Sequence, residues 1–363
     1  MKHLNRRQVL AVGAAGAAVG LTGLPVHAQQ TLNLVAIDGY PARAMWVQEF
    51  SNFFIPRMNE ALAATGNYEI NWQEAYGGQI VRPRGVLEGI KLGLGDIGIV
   101  TTIFHNSALP SQAIAGVTPF VCADARIVAR AVDEIATEFP STMEEYNAEN
   151  QVYLATGVVL DTYQVLSRNA INGVSDLEGR RVAGAGVNLR YLEGIEGAAG
   201  VRGGLTDFYG LLQNGTVDAA MLWPEAANTF NIVEVAPYML RADLGAVNSK
   251  TVTVNKDIWD SLPEEVRVVL RDVAVEYRDH IASLAMDRAA ESREAFTTAG
   301  GTIVDLAQEE RVAWANAMPN IAVEWAQALD AAGKPGSEML RAYMQKLRDA
   351  GQTPARDWAA ELA

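Results

Sequence analysis

TLNLVAIDGYP, residues 31–41, is the stretch from which the fold is read. Leu32, Leu34 and the Val35-Ala36-Ile37 run make it an apolar strand, and Asp38-Gly39-Tyr40-Pro41 ends it with turn residues. A helix is predicted over about 42–64, a second strand over 68–72, a loop over 74–79 (EAYGGQ), a helix over 84–91 and a third strand over 96–100. Strands alternating with helices imply an open α/β sheet. Such sheets bind ligands at the carboxyl ends of their strands, which nominates Asp38, Tyr40, Glu74, Tyr76, Thr101 and Phe104.

The second half repeats the pattern, with strands expected at 153–160, 180–183 and 219–222 and a crossing strand at 251–254. Two α/β units flanking a cleft follow: one over 29–150 with a return segment at about 240–265, the other over 151–239 with about 300–350. Asp260-Ser261-Leu262-Pro263-Glu264 opens a helix that runs without a breaker over 261–299. Ser261 is expected to cap it and Glu264 to complete a capping box. At ~1.5 Å per residue the helix is on the order of 50 Å long, enough to brace both units.

The first 28 residues carry Lys2, Arg6 and Arg7, an Ala/Gly/Val/Leu run and a small-residue site at Val26-His27-Ala28. This is an export signal, and paired arginines before a weakly apolar segment make it a twin-arginine one. The mature chain is expected to begin near Gln29, in the periplasm. The chain has 29 Lys and Arg against 43 Asp and Glu, net −14. Without the three basic residues of the signal the balance is 26 against 43, or −17, which excludes a reader of nucleic-acid phosphates. After the signal no apolar run reaches the ~18 residues of a membrane span. One cysteine, Cys122, closes no intrachain disulfide.

Catalytic signatures are absent. There is no GxSxG, no Cys/His nucleophile pair and no Walker loop, and Leu189 stands where a dinucleotide fingerprint begun by Gly184-Ala185-Gly186 needs its third glycine. His105 and His280 are the only histidines after the signal, so no metal cluster is expected, nor any cofactor.

The motifs in order resemble one family, the DctP-like periplasmic solute-binding proteins of TRAP transporters. EAYGGQ (74–79) resembles its glycine-glutamine loop, and Thr118-Pro119-Phe120 its Pro-Phe after the third strand. INGVSDLEGRRV (171–182) resembles its DLKGLKI segment, DFYGLLQNGTVD (207–218) its ALQTGVVDG segment, and DIWDSLPEEVRVVL (257–270) its W-x-SLP entry to the long helix. The resemblance implies a two-domain receptor that holds a small organic solute in its cleft and delivers it to one small and one large membrane subunit. A periplasmic enzyme or a receptor feeding a sensor kinase are the rival classes.

Family members usually end the DLKGLKI strand in an arginine that grips a substrate carboxylate. Counting from Asp176, that position here is Ala183. The asparagine that often follows the aspartate-glycine pair is also missing from Asp218-Ala219-Ala220-Met221-Leu222-Trp223-Pro224. What remains near the strand ends is acidic and aromatic: Asp38, Tyr40, Trp46, Glu74, Phe104, Asp161, Tyr163, Trp223 and Glu225. Carboxylates with π faces suit an amine or a nitrogen heterocycle. The alternative is an organic acid held by a relocated arginine such as Arg190, with Arg82 and Arg84 as further candidates.

Overall fold

The computed structural model describes residues 29–362; the export signal read at 1–28 lies outside the described residues. The chain lays down β1 (Gln30–Ile37), β2 (Tyr68–Ala75), β3 (Ile97–Thr101), β4 (Gln151–Val159), β5 (Gln164–Ser167), β6 (Arg181–Gly184), β7 (Ala199–Arg202), β8 (Ala219–Leu222), β9 (Tyr238–Arg241), β10 (Asn248–Asn255) and β11 (Thr302–Asp305). They form two sheets, ordered β2-β1-β3-β10-β4 and β11-β9-β5-β8-β6-β7. β1 is parallel to β2 and β3, while β10 lies antiparallel between β3 and β4. In the second sheet β6 is parallel to β7 and β8, and β5 is antiparallel to β8 and β9.

The two-unit α/β architecture is as expected, but the crossing point is not at residue 150. β4 pairs with β10 along its length, so the strand read as the start of the second unit completes the first sheet. Local pattern gives a strand's existence and leaves its partner open. The chain passes between the sheets three times: at residues 160–163, at 242–247 and, by way of the long helix, between β10 and β11. The first two crossings lie side by side. These segments are clipped to each other by Leu244 N–H donating to Tyr163 O at 3.0 Å and Gly245 N–H donating to Thr162 Oγ1 at 2.9 Å. Gln164 and Asp243 bond reciprocally, at 2.9 and 3.0 Å. Adjacent crossings of this kind are where a hinge can form.

The helix predicted over 42–64 contains a π-helical stretch, Phe50–Phe54, between α-helical Met45–Glu49 and Ile55–Ala63. Pro56 lies just past it; a proline lacks the N–H for the preceding turn and clashes with the carbonyl four residues back, and a widened turn accommodates both. The long helix is Glu264–Thr298. It packs on β4 and the helix Ala125–Glu138 of the first unit and on the helix Pro224–Thr229 and β11 of the second, so it does brace both.

The capping box does not form. Ser261 ends a separate short helix, Lys256–Ser261, donating to Ile258 O at 2.6 Å, and Pro263 takes the N-cap without a side-chain bond. Proline at the cap fixes φ by itself, and its extended ψ of 147° breaks the two helices apart. The C-terminal helix Gly336–Asp349 also departs from the sequence reading. It packs on Ala125–Glu138 of the first unit, where Lys346 pairs with Glu134 and Glu138 at 2.9 and 2.6 Å.

Candidate functional site

Strand ends from both sheets meet at a narrow, partly open cavity of about 30 Å³, lined from the first sheet by Tyr40, Thr101, Ile103, Phe104, Ser249 and Lys250. Tyr163, Ala185, Leu205, Phe208, Met221 and Trp223 line it from the other side. Room for about one water means that the walls touch, so a solute has to part them. Gly186, just past β6, shows how closely they meet: a Cβ there would lie 2.5 Å from both Ile103 Cγ1 and Ile103 O. The Tyr191 hydroxyl also donates across the cleft, to Gly116 O at 2.6 Å.

At the floor lies a charged and aromatic cluster. Asp38, at the end of β1 and 1 % exposed, accepts from Tyr40 N–H at 2.7 Å and from the Trp46 indole at 3.2 Å. Trp46 meets Tyr40 edge-on with centroids 5.0 Å apart and Trp223 at 6.4 Å. Trp223 in turn packs edge-on against Tyr163 at 5.5 Å and donates to Glu225 at 3.1 Å, whose other oxygen accepts from Thr229 at 2.6 Å.

The centre of this cluster is Lys250, 2 % exposed, from the middle of β10. Its Nζ stands 3.8 Å from the Trp46 ring centroid, 5.7 Å from Tyr40 and 5.9 Å from Trp223. Among the described residues it forms no ion pair within 4.0 Å, and its hydrogen bond goes to Ser249 Oγ at 3.1 Å. Burial pushes the ammonium down to about 7, against the nearby charges of Asp38 and Glu225. Burial likewise pushes the Asp38 carboxyl up to about 7, opposed by the Tyr40 amide, Lys250 and Trp46.

The structure therefore brings together Asp38, Tyr40, Phe104, Tyr163, Trp223 and Glu225 and leaves three candidates elsewhere. Glu74 is exposed on β2 and accepts from the Ser51 hydroxyl. Asp161 is buried in the crossing segment, where one oxygen accepts from Thr162 N–H at 2.7 Å and the other has no partner among the described residues; burial raises its pKa to about 7. Arg190 is held by Glu193 at 2.8 Å and Glu324 at 2.7 Å, away from the cavity lining. Arg84, exposed, caps the Phe104 ring from 4.1 Å. Arg190→Ala is accordingly expected to change ligand affinity less than about twofold by calorimetry, because partly exposed pairs contribute only about 0–1 kcal/mol even to stability.

Sequence reading missed Lys250. Asn248-Ser249-Lys250-Thr251 is a polar run that looks like solvent-facing chain, yet β10, lying between β3 and β4, is buried throughout. Its polar groups find partners inside: Tyr146 donates to Thr251 at 2.8 Å, Thr253 to Gln151 at 2.7 Å, and Asn255 to Ile90 O at 2.7 Å. The aromatic and carboxylate set read as a nest for a cationic solute encloses the protein's own cation.

The profile of the bacterial extracellular solute-binding protein family 7, DctP, matches residues 43–328. The chain belongs to this family. A curated member, the C4-dicarboxylate-binding periplasmic protein DctP of Rhodobacter capsulatus, is 30 % identical over 127 residues, which span 35 % of this chain and 38 % of that relative. Among solved structures, a TRAP solute-binding protein of Rhodoferax ferrireducens with copurified benzoate superposes with TM-score 0.77 at 17 % identity, over 88 % of this chain and 98 % of that one. A Bordetella bronchiseptica TRAP protein with bound mandelate gives TM-score 0.77 at 15 % identity, over 88 % and 99 %. The pyroglutamic-acid-binding receptor DctP7 of Bordetella pertussis gives 0.72 at 17 %, over 86 % and 99 %. The DctP family and the two-domain TRAP receptor fold agree with the sequence motifs. Among the described residues no helix is long and apolar enough to cross a membrane, and no cluster of three or more His, Cys, Asp or Glu converges as a metal site.

Proposed function

We propose that the protein is the extracytoplasmic receptor of a tripartite, ATP-independent transporter: exported by the twin-arginine route, cleaved after Ala28, it closes on one small organic acid and delivers it to a small and a large membrane subunit. The observation that carries this is the cavity built from strand ends of both sheets, beside a two-stranded crossing that can flex, in a chain of the DctP family. Solved receptors of the same fold hold benzoate, mandelate and pyroglutamic acid, and those are acids.

The second reading, an amine or nitrogen heterocycle, is favoured by Asp38 and Glu225 lying among aromatic rings. Against it, Lys250 already fills that environment and would face a second cation. Glu225 spends both oxygens on Trp223 and Thr229, and neither carboxylate lines the cavity.

A thermal-shift screen of monocarboxylates, dicarboxylates and amines on the mature chain tests the reading. A ligand at a hundred times its Kd adds about 2.7 kcal/mol to stability, and small-angle scattering at saturation is expected to show compaction. An unchanged scattering profile with a confirmed ligand would count against hinge closure.

A further inference from the structure

An ammonium carries three donors, and Lys250 uses one, on Ser249 Oγ. The hydroxyl of Thr101, 2 % exposed, has no hydrogen-bond partner among the described residues. The two residues are linked by register, since Lys250 on β10 stands directly opposite Thr101 on β3. Directly opposed residues project from the same face of a sheet with Cβ atoms about 5 Å apart, and both residues line the cavity. A buried cation with spare donors beside an unsatisfied hydroxyl is a site for the two oxygens of one carboxylate.

We propose that Lys250 and Thr101 form the anion anchor of this cleft, taking over on β10 and β3 the task that an arginine usually performs at the Ala183 position, and that they select monocarboxylates with an apolar or aromatic tail. The proposal rests on the receptor reading above. Ile103, Phe104, Leu205, Phe208 and Met221 supply an apolar wall beside the rings of Tyr40, Tyr163 and Trp223, and among the described residues no second cation lines it. A second carboxylate would therefore be buried without a cationic partner, which is unfavourable. Ala183 itself is fully buried in β6 between β7 and β8 and offers no donor.

The anchor works only while Lys250 is charged, and its environment sets when that is. Burial depresses it to about 7; Asp38 from β1 and Glu225 from the helix after β8 are the charges that oppose the depression. A bound carboxylate stabilises the ammonium, so binding takes up a proton near neutral pH. Acid affinity is then fully present below about pH 7 and is lost as pH rises above it, approaching about tenfold per unit. Protonating Asp38 on the acid side removes a repulsive charge and acts in the same direction. A cationic ligand has the opposite sign, gaining affinity as Lys250 loses its proton.

Calorimetry of the mature chain with benzoate, isovalerate, succinate and benzylamine at pH 6.5 and 8.5 tests this. Benzoate or isovalerate is expected to bind at pH 6.5, to weaken more than tenfold at pH 8.5, and to exceed succinate. Lys250→Met keeps most of the stem and removes the charge, and is expected to cost about 10- to 150-fold in acid affinity. Thr101→Val is expected to cost less, about three- to tenfold. Should Lys250→Met fail to fold, the wild-type pH profile still decides. Unchanged acid binding in Lys250→Met or a flat pH profile overturns the anchor while leaving the receptor reading in place. If neither monocarboxylate binds at pH 6.5, or benzylamine binds instead, the anchor falls with the organic-acid reading.

Discussion

Gly186→Ala is expected to weaken ligand binding by about 5- to 150-fold while both sheets stay folded, the effect of 1–3 kcal/mol of overpacking felt only when the cleft is shut. The added methyl would meet Ile103 across the cleft at 2.5 Å, and part of that contact is backbone oxygen, which cannot swing aside. Gly186 also has φ of +56°, so alanine costs roughly 1 kcal/mol in the open and closed states alike. Gly179→Ala isolates that second cost: its φ is +67° and no atom lies within 4 Å of a Cβ there. It is expected to lower thermal stability slightly and leave affinity unchanged. Calorimetry on the pair, with any ligand that stabilises the wild type, separates closure from backbone strain. Equal affinities in both variants would mean that productive closure does not bring Gly186 onto Ile103.

The second large effect is structural and falls on the bracing helix. Asp133, on the helix Ala125–Glu138, accepts from Arg278 of the long helix at 2.7 Å, from Thr156 N–H of β4 at 2.7 Å and from the Tyr153 hydroxyl. Both ion-pair side chains are nearly buried, at 12 % and 11 %. Asp133→Ala leaves a guanidinium with Asp279 alone and strands a buried amide, which is expected to cost about 3 kcal/mol or more. For a chain of this size that lowers Tm by about 4–7 °C, read by calorimetric scanning. Removing both charges, as Asp133→Leu with Arg278→Met, is expected to restore much of the loss, because replacing a buried pair costs less than orphaning one member. A double variant as unstable as Asp133→Ala would show that the Thr156 and Tyr153 bonds, and not the charge pair, carry the stability.

The elements most legible in the chain were those whose information is local. β8 at 219–222 coincides with the reading, and β1 and the long helix differ from it by one to three residues at their ends, because apolar runs and turn residues report burial directly. The site was legible in part. Asp38, Tyr40, Phe104 and Trp223 follow strand ends, and the parallel-sheet rule sends such residues to the cleft whatever their partners. Glu74 obeys the same rule and still stays in solvent, since it lies on a strand at the sheet's edge. Arg190 is an attractive clamp until Glu193 and Glu324 are seen to hold it.

By itself the sequence determined the two α/β units, the bracing helix and the family, since each is written in local motifs. Only the tertiary structure decided where the buried cation lies. Lys250 becomes a buried cation because β10 is inserted between β3 and β4, and because Tyr40, Trp46 and Trp223, the last two 177 positions apart in the numbering, converge on it. Charge and desolvation depend on neighbours in space, and a polar strand carries no local mark of how deeply it will be buried.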